Sequence, residues 1–281
     1  MIVSTYPGKP LAGMEKYKKL YHFTSFDTFV RIWLSKKLKF GSMLEVNDIQ
    51  ESMKGISVSN SLRLPIMFAF QDIVTHYKQI SFTMDQDTFI KGYMNTMMWG
   101  YYADKSHGVC IEFDYDKLII PSDVLKGVVE YQDIVPQRVD LPDSVNTIAD
   151  VKEFVLSEQK KLFFVKQKGW IGENEYRLVS DNHNYLDIDG AVSRIYLTSY
   201  ESDECKWVEQ LVDGTVSVMC LHYLNNLPIA SDTKKLREQI EKARNKTGVL
   251  NQISEQAKLF YKKHKNDEKE PLVLNEYIIK T

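Results

Sequence analysis

Residues 19–30 read KLYHFTSFDTFV, and the spacing of the apolar residues changes within this stretch. The first residues, KLYHF, have the composition of a short strand. Ser25 is typical of a helix N-cap, and beyond it the apolar residues recur at the spacing of one helix face: Phe26, Phe29, Val30 and Trp33. The pattern therefore predicts a strand that runs directly into a helix, with His22 near the end of the strand.

Further along the chain, short alternating strands outnumber regular strand–helix–strand units. The pattern predicts strands at KLKFGSM, QISFTM, GVCIEFD, GVVEYQDIV, NEYRLV and TVSVMCL, and a hairpin around Asp189-Gly190. It predicts helices over 87–103 and 148–166, and a short helix that ends at Gly214. This order is typical of an α+β domain with a mixed, mostly antiparallel sheet flanked by helices.

Composition excludes several classes of protein. The formal net charge of −2 gives no global basic field for nucleic acid. The strongest apolar run, LPIMFAF, is too short to cross a bilayer, and the N-terminal residues lack the apolar core of a signal peptide. The three cysteines show no Cys-x-x-Cys spacing, so we expect reduced core residues. We expect a soluble, cytoplasmic protein that has no membrane partner.

The character of the chain changes near Ser231. Residues 231–281 contain 12 Lys+Arg and 8 Asp+Glu, a net charge of +4, which leaves −6 for the first 230 residues. We therefore predict an α+β domain of the catalytic type over 1–230 and a mainly helical C-terminal extension over 231–281. Within the extension we expect helices near 233–246 and 249–264 and a final strand-like segment, PLVLNEYII.

Polar residues in apolar settings are the candidates for chemistry, because phosphate-binding glycine loops, zinc-binding pairs and serine-hydrolase motifs are absent. Glu175 shares a strand face with Arg177, which is compatible with a functional carboxylate or with an ordinary ion pair on a solvated sheet. His22 is either a ligand-binding group or a buried histidine bonded to a backbone carbonyl. Ser42 is either a ligand-binding hydroxyl or part of a turn.

The order of several segments resembles the bacterial family called domain of unknown function 2971. These segments are LYHFTS, LKFGSMLEVNDIQES, ISFT, MWGYYADKSHGVCIEFD, VVEYQD and FFVKQKGWIGENEYRLV, within residues 19–225. The chain departs from the family pattern at Ile49, where a proline is common. The family name implies no activity.

A second resemblance supplies an expected activity. A strand with Tyr-His before a helix, a hydroxyl residue on a following strand and a glutamate on a late strand are similar to the His, Ser/Tyr, Glu signature of ADP-ribosyltransferases. The resemblance implies catalytic roles for His22 and Glu175 and NAD as the substrate. The NAD-binding residues that it implies are Tyr21, His22, Thr24, Ser42, Asn47, Tyr176 and Arg177. We expect His22, Ser42 and Glu175 to lie close enough for one ribose to touch all three.

The same resemblance implies a reaction and partners. Cleavage of the glycosidic bond of NAD builds an oxocarbenium-like cation, which a fixed carboxylate stabilises. In this interpretation His22 presents an imidazole N–H to ribose hydroxyls, and no metal is needed. The acceptor is a macromolecule, nucleic acid or protein, as in a bacterial toxin or phage-defence effector, and an antitoxin or another protein of a defence complex is the expected partner.

Two other functions remain open from the sequence. A metal-dependent hydrolase or nuclease could be assembled from carboxylates, because hard cations need several converging oxygens: Asp48, Glu51, Glu112, Glu173 and Glu175. Alternatively, the chain is a non-catalytic binding module of a defence complex, which a wide separation of His22 and Glu175 would favour.

Overall fold

The computed structural model describes residues 19–43, 55–57, 63–135, 138–224 and 227–246. The chain divides into two compact units, one up to Asp232 and one from Thr233. The described part of the second unit is one helix, Thr233–Lys246. The predicted helix over 249–264, the predicted final strand, and Asn47, Asp48 and Glu51 lie outside the described residues.

The described helices and strands of the larger unit are mostly short. Its helices are α1 (Phe26–Ser35), α2 (Leu64–His76), α3 (Thr96–Tyr102), α4 (Ile148–Ser157), α5 (Gln159–Phe163) and α6 (Asp203–Val212). Its first strands are β1 (Lys19–Thr24), β2 (Lys37–Lys39), β3 (Gly41–Ser42), β4 (Gly55–Ser57), β5 (Lys78–Met84), β6 (Val109–Asp114), β7 (Leu125–Val128) and β8 (Glu130–Gln132). The later strands are β9 (Arg138–Asp140), β10 (Val165–Gln167), β11 (Glu175–Ser180), β12 (Tyr185–Asp187), β13 (Val192–Leu197), β14 (Ser217–Leu224) and β15 (Leu227–Asp232).

One large sheet organises the unit. Its strand order in the described residues is β15-β14-β13-β6-β1-β5-β11-β7, and β3 also pairs with β5. Among the described strands of this sheet, only β13 and β14 pair in parallel, whereas the pairs along the centre are antiparallel. Small two-stranded sheets lie apart from it. The predicted fold class, α+β with a mixed, mostly antiparallel sheet flanked by helices, is confirmed.

Helices cover both faces of the large sheet. On one face, α1 and α6 contribute Phe29, Trp33 and Val208 to a cluster that includes Phe82 and Phe113 of the sheet. The indole N–H of Trp33 donates to the carbonyl of Leu211 at 3.0 Å, which joins the two helices. The opposite face carries two further clusters, one with residues of α3 and one with residues of α2, α4 and α5. Successive residues of a central strand therefore point into different clusters.

The start of the fold follows the local sequence closely. The Ser25 side chain accepts a hydrogen bond from the backbone N–H of Thr28, so Ser25 is the N-cap of α1. This cap satisfies one of the unpaired N–H groups of the first helical turn. The strand β1 ends one residue earlier, at Thr24, which places His22 two residues from the end of the strand.

Several secondary-structure predictions are wrong in their extent or pairing. Residues 87–103 do not form one helix: α3 is shorter, because Asp85 and Asp87 accept hydrogen bonds from the backbone N–H groups of Phe89, Ile90 and Gly92 and hold the earlier residues in turns. Residues 148–166 form α4 and α5, and the chain then leaves the helix because β10 pairs with β8. The strands β12 and β13 form no hairpin, since β12 pairs with β2 and β13 with β6 and β14.

The pairing between β1 and β5 is much shorter than that of either strand with its other neighbour. β1 and β5 pair only at Leu20–Met84 and Tyr21–Thr83. In contrast, β1 pairs with β6 over six residues and β5 pairs with β11 over six residues. The two-residue strand β3 pairs with the other end of β5, at Gln79 and Lys78. The sheet therefore opens between β1 and β5 beyond Tyr21 and Thr83, and we call this opening the β1/β5 gap.

In the described residues, no helix has both the length and the apolar composition that a membrane span requires.

Candidate active site

A cavity of about 490 Å³ lies at the β1/β5 gap. Residues of both separated strands line it, together with α3, the β2–β3 segment and the start of β11. The structure brings His22, Ser42 and Glu175 to this one cavity. A single cavity that collects polar side chains from distant parts of a chain is the usual form of a small-molecule site.

Glu175 is an ionised carboxylate in the wall of this cavity. It is the first residue of β11 and its side chain is buried. Arg177 donates to both carboxylate oxygens, with Nε to Oε1 and Nη2 to Oε2 each at 2.7 Å. Burial acts to raise the pKa of Glu175, but the Arg177 guanidinium, the Lys166 ammonium and a hydrogen bond from Ser81 outweigh it and hold the pKa below its ordinary value. The carboxylate is thus both charged and fixed in place.

Glu173 lies beside Glu175, and its pKa is shifted in the opposite direction. Its Oε1 accepts from the Tyr102 hydroxyl and its Oε2 from the Lys166 ammonium, both at 2.7 Å. Burial is the largest influence and raises the pKa of Glu173, although Lys166 acts against it. Lys166 is also 3.8 Å from Glu175, so one buried ammonium serves two carboxylates. The pair combines a carboxylate whose pKa is lowered with one that holds a proton more readily.

The hydrogen bond of His22 determines its tautomer. Nδ1 lies 3.1 Å from the backbone oxygen of Ser81, across the β1/β5 gap. A carbonyl oxygen can only accept, so Nδ1–H is the donor and Nε2 of the neutral ring is an acceptor. Burial lowers the pKa of His22, which favours this neutral form. The expected N–H toward ribose hydroxyls is therefore corrected: in the neutral ring, Nε2 has no proton to donate and can only accept a hydrogen bond.

Ser42 lines the cavity far from Glu175. Ser42 pairs with Lys78 of β5, whereas Glu175 pairs with Thr83 of the same strand. Five residues of strand separate these levels, about 16 Å at about 3.3 Å per residue. One ribose cannot touch both side chains, so the expectation of a single ribose in contact with all three residues is wrong. The cause is that β3 meets the opposite end of β5 from β1.

The other predicted NAD-binding residues are divided by the sheet. Tyr21 is buried and lines the cavity. Tyr176 points to the opposite face, where its hydroxyl lies 3.2 Å from that of Tyr115, so it does not reach the cavity. Arg177 contacts Glu175 behind the cavity wall, and Thr24 is buried away from the lining. Asn47 lies outside the described residues.

Sequence reasoning gave no binding or catalytic role to most of the polar lining, although it singled out Ser81 as a polar residue in an apolar setting. Strand β5 contributes Gln79, Ser81 and Thr83, and Lys166 and Tyr102 complete the surroundings of Glu173. The alternation of polar and apolar residues in KQISFTM carried a signal, because it predicts that these three β5 side chains share one face. Nothing in the local sequence indicates that this face borders a cavity.

The carboxylates proposed for a metal site do not converge in the described residues. Glu112 is on β6, and β1 and β5 lie between it and Glu175 on β11. Three strand spacings of about 4.8 Å separate the two strands by roughly 14 Å, which is too far for one cation. Within the described segments, no group of three or more His, Cys, Asp or Glu side chains could hold a metal ion.

Comparisons with known proteins give a partial family match and a structural neighbour. Residues 98–178 match the model of a protein family of unknown function, DUF2971, so the resemblance to that family is confirmed over these residues. No curated protein matches the chain. Among solved structures, the chain is similar to one described as Thermus sp. 2.9 DarT in complex with ADP-ribosylated ssDNA. The identity is 10% and the TM-score 0.31, over 70% of this chain and 90% of that chain.

Proposed function

We propose that this chain is an NAD-dependent ADP-ribosyltransferase that modifies a macromolecule. The observation that carries the proposal is Glu175, a buried carboxylate that Arg177 and Ser81 keep ionised and fixed in the wall of a polar cavity. His22 lines the same cavity as Glu175. A fixed negative charge at such a position suits a reaction whose transition state develops positive charge.

In the proposed reaction the bond between the ribose C1′ and the nicotinamide nitrogen of NAD breaks. Nicotinamide leaves with the bonding electron pair, which neutralises its ring, and the positive charge develops on the ribose. Glu175 stabilises this cation, and Nε2 of neutral His22 accepts a hydrogen bond from a ribose hydroxyl. An acceptor nucleophile then forms the new bond to C1′ and loses a proton.

Glu173 is the group that suits this proton. Its burial raises its pKa, while Tyr102 and Lys166 hold both of its oxygens in place. A carboxyl group with a raised pKa is a more effective proton acceptor than an ordinary surface carboxylate. The two adjacent glutamates therefore have separate proposed roles, charge stabilisation for Glu175 and proton transfer for Glu173.

The acceptor is proposed as a nucleic acid or a protein, in the setting of a bacterial toxin or phage-defence effector with a protein partner. Tyr101 lines the cavity and is 66% exposed, and its ring lies 6.4 Å from that of Trp170. This aromatic pair supports a macromolecular acceptor. An exposed aromatic ring such as that of Tyr101 can stack against a base or an apolar side chain.

The test compares the wild type with Glu175→Gln, using NAD labelled in the ADP-ribose part and a mixture of candidate acceptors. The variant keeps the size and much of the hydrogen bonding but removes the charge. We expect nicotinamide release to fall by about 100-fold or more, with little change in NAD affinity.

Glu112→Gln is the matched control, because Glu112 is equally buried on the same sheet and does not line the cavity. It should retain turnover per folded molecule. Wild-type turnover by Glu175→Gln would exclude the mechanism, and a wild type that consumes no NAD with any acceptor would favour the binding-module function.

A further inference from the structure

One face of β5 forms a polar row along the cavity. Gln79, Ser81 and Thr83 alternate with Ile80 and Phe82, whose side chains take the other face. All three polar residues line the cavity. Ser81 contributes a hydrogen bond to Glu175, so its hydroxyl has a partner.

The other two side chains each contain a buried polar atom without a partner. Neither the hydroxyl oxygen of Thr83 nor the amide oxygen Oε1 of Gln79 has a hydrogen-bond partner among the described residues. Thr83 is only 1% exposed. Buried polar groups are nearly always hydrogen-bonded, because leaving one unpaired costs about 1–3 kcal/mol. These two atoms are therefore unusual, and both belong to residues of one cavity wall.

Strand pairing places Thr83 beside Glu175 and Gln79 at the opposite end of the cavity. Thr83 pairs with Glu175 on one side of β5 and with Tyr21 on the other, so it sits next to the carboxylate. Gln79 pairs with Gly41 at the opposite end, where Lys39 and Ser42 also line the cavity. The four residues of strand from Gln79 to Thr83 span about 13 Å. A ligand that satisfies both atoms must extend well beyond one ribose.

We propose that Thr83 and Gln79 are substrate-binding residues that orient a dinucleotide along β5. The Thr83 hydroxyl bonds a hydroxyl of the ribose that reacts beside Glu175. The Gln79 amide oxygen accepts from an O–H or N–H of the second nucleoside half, and Lys39, at the same end of the cavity, faces the phosphate next to that half. This inference rests on the proposed function, since it takes NAD as the ligand.

Removal of the Thr83 hydroxyl or the Gln79 amide oxygen should weaken NAD binding without lowering the stability of the fold. In Thr83→Val and Gln79→Met the side chain keeps its approximate size and loses the unpaired atom. Because that atom has no hydrogen-bond partner in the described part of the chain, we expect an unchanged or raised Tm. NAD binding measured by calorimetry should weaken about 3- to 10-fold in each variant, the range of one lost hydrogen bond. Thr83→Ser keeps the hydroxyl and should bind NAD nearly as the wild type does, even where its Tm is lower.

Thr198→Val and Gln159→Met are matched controls, because each removes a side-chain hydrogen bond outside the cavity, to Ser106 and Leu156 respectively. They should lower or maintain Tm and leave NAD affinity unchanged.

Wild-type NAD affinity in both cavity variants would overturn this inference, as would a clear loss of Tm in both. In either case NAD turnover by the wild type would leave the proposed function standing. The wild type could also bind NAD without transferring ADP-ribose, while the two cavity variants bind NAD more weakly. That result would support this inference and overturn the proposed transferase function. Absence of NAD binding by the wild type would overturn both.

Discussion

Glu112 and Glu175 are both buried glutamates on the same face of the central sheet, yet their surroundings differ. Glu112 accepts from the hydroxyls of Ser193 at 2.6 Å and Tyr196 at 2.5 Å. Lys19 and Arg194 are farther from it, at 3.6 Å and 3.5 Å, and both are partly exposed. Glu175 instead has a fully buried Arg177 at 2.7 Å and opens to the cavity.

The difference distinguishes a structural carboxylate from a functional candidate. Among the described residues, hydroxyls and cations surround Glu112 and satisfy its carboxylate, and Glu112 does not line the cavity. Beside Glu175 lies Thr83, whose hydroxyl oxygen has no hydrogen-bond partner among the described residues. Burial and charge alone therefore do not identify a site; a cavity with unsatisfied polar atoms does.

Removal of Arg177 should have the largest effect on stability. Arg177→Met leaves Glu175 buried without its bidentate partner, and breaking a buried ion pair in this way costs about 3–5 kcal/mol. Urea denaturation at pH 7 would measure the loss. Because Arg177 lowers the pKa of Glu175, the stabilisation is present above the ordinary pKa of a glutamate and lost as the pH falls through the lowered value. The difference between variant and wild type should therefore shrink in acid.

Arg194→Met is the comparison on the Glu112 side. Arg194 is half-exposed, and such ion pairs contribute about 1 kcal/mol or less. If Arg177→Met were as mild as Arg194→Met, Lys166 alone would suffice to neutralise Glu175, and the contrast between the two glutamates would be lost.

Tyr196→Phe should have an intermediate effect. The variant removes a hydroxyl that donates to Glu112 and leaves one buried carboxylate oxygen without that donor. We expect a loss of about 1–3 kcal/mol in the free energy of unfolding. The rate of NAD consumption per folded molecule should not change, since Tyr196 does not line the cavity. A fall in turnover without a fall in stability would show that the Glu112 cluster takes part in the reaction.

The smallest expected effect is the pH dependence that His22 contributes. Burial lowers the pKa of His22 in the folded protein, whereas the unfolded side chain titrates near about 6.5. Neutral His22 therefore favours the folded state above about pH 6.5, and this contribution is lost as the pH falls toward the lowered value. Tm measured from pH 8 to pH 5 should fall more steeply for the wild type than for His22→Asn. Parallel curves would mean that His22 is hydrated in the folded protein.

Local sequence was sufficient for features that depend on neighbours along the chain. The N-cap at Ser25, the entry of β1 into α1 and the shared face of Glu175 and Arg177 follow from side-chain chemistry and strand periodicity. The fold class followed from the excess of short alternating strands. All three cysteines are buried in the core, as their spacing predicted.

Long-range pairing decided the rest. Periodicity shows which side chains share a face, but it does not show which strand lies alongside or where the pairing stops. The separation of β1 from β5 after Tyr21 creates the cavity, the placement of β3 moves Ser42 away from Glu175, and the Ser81 carbonyl determines the tautomer of His22. Each depends on residues more than 35 positions apart in the chain, whose contacts only the folded sheet establishes.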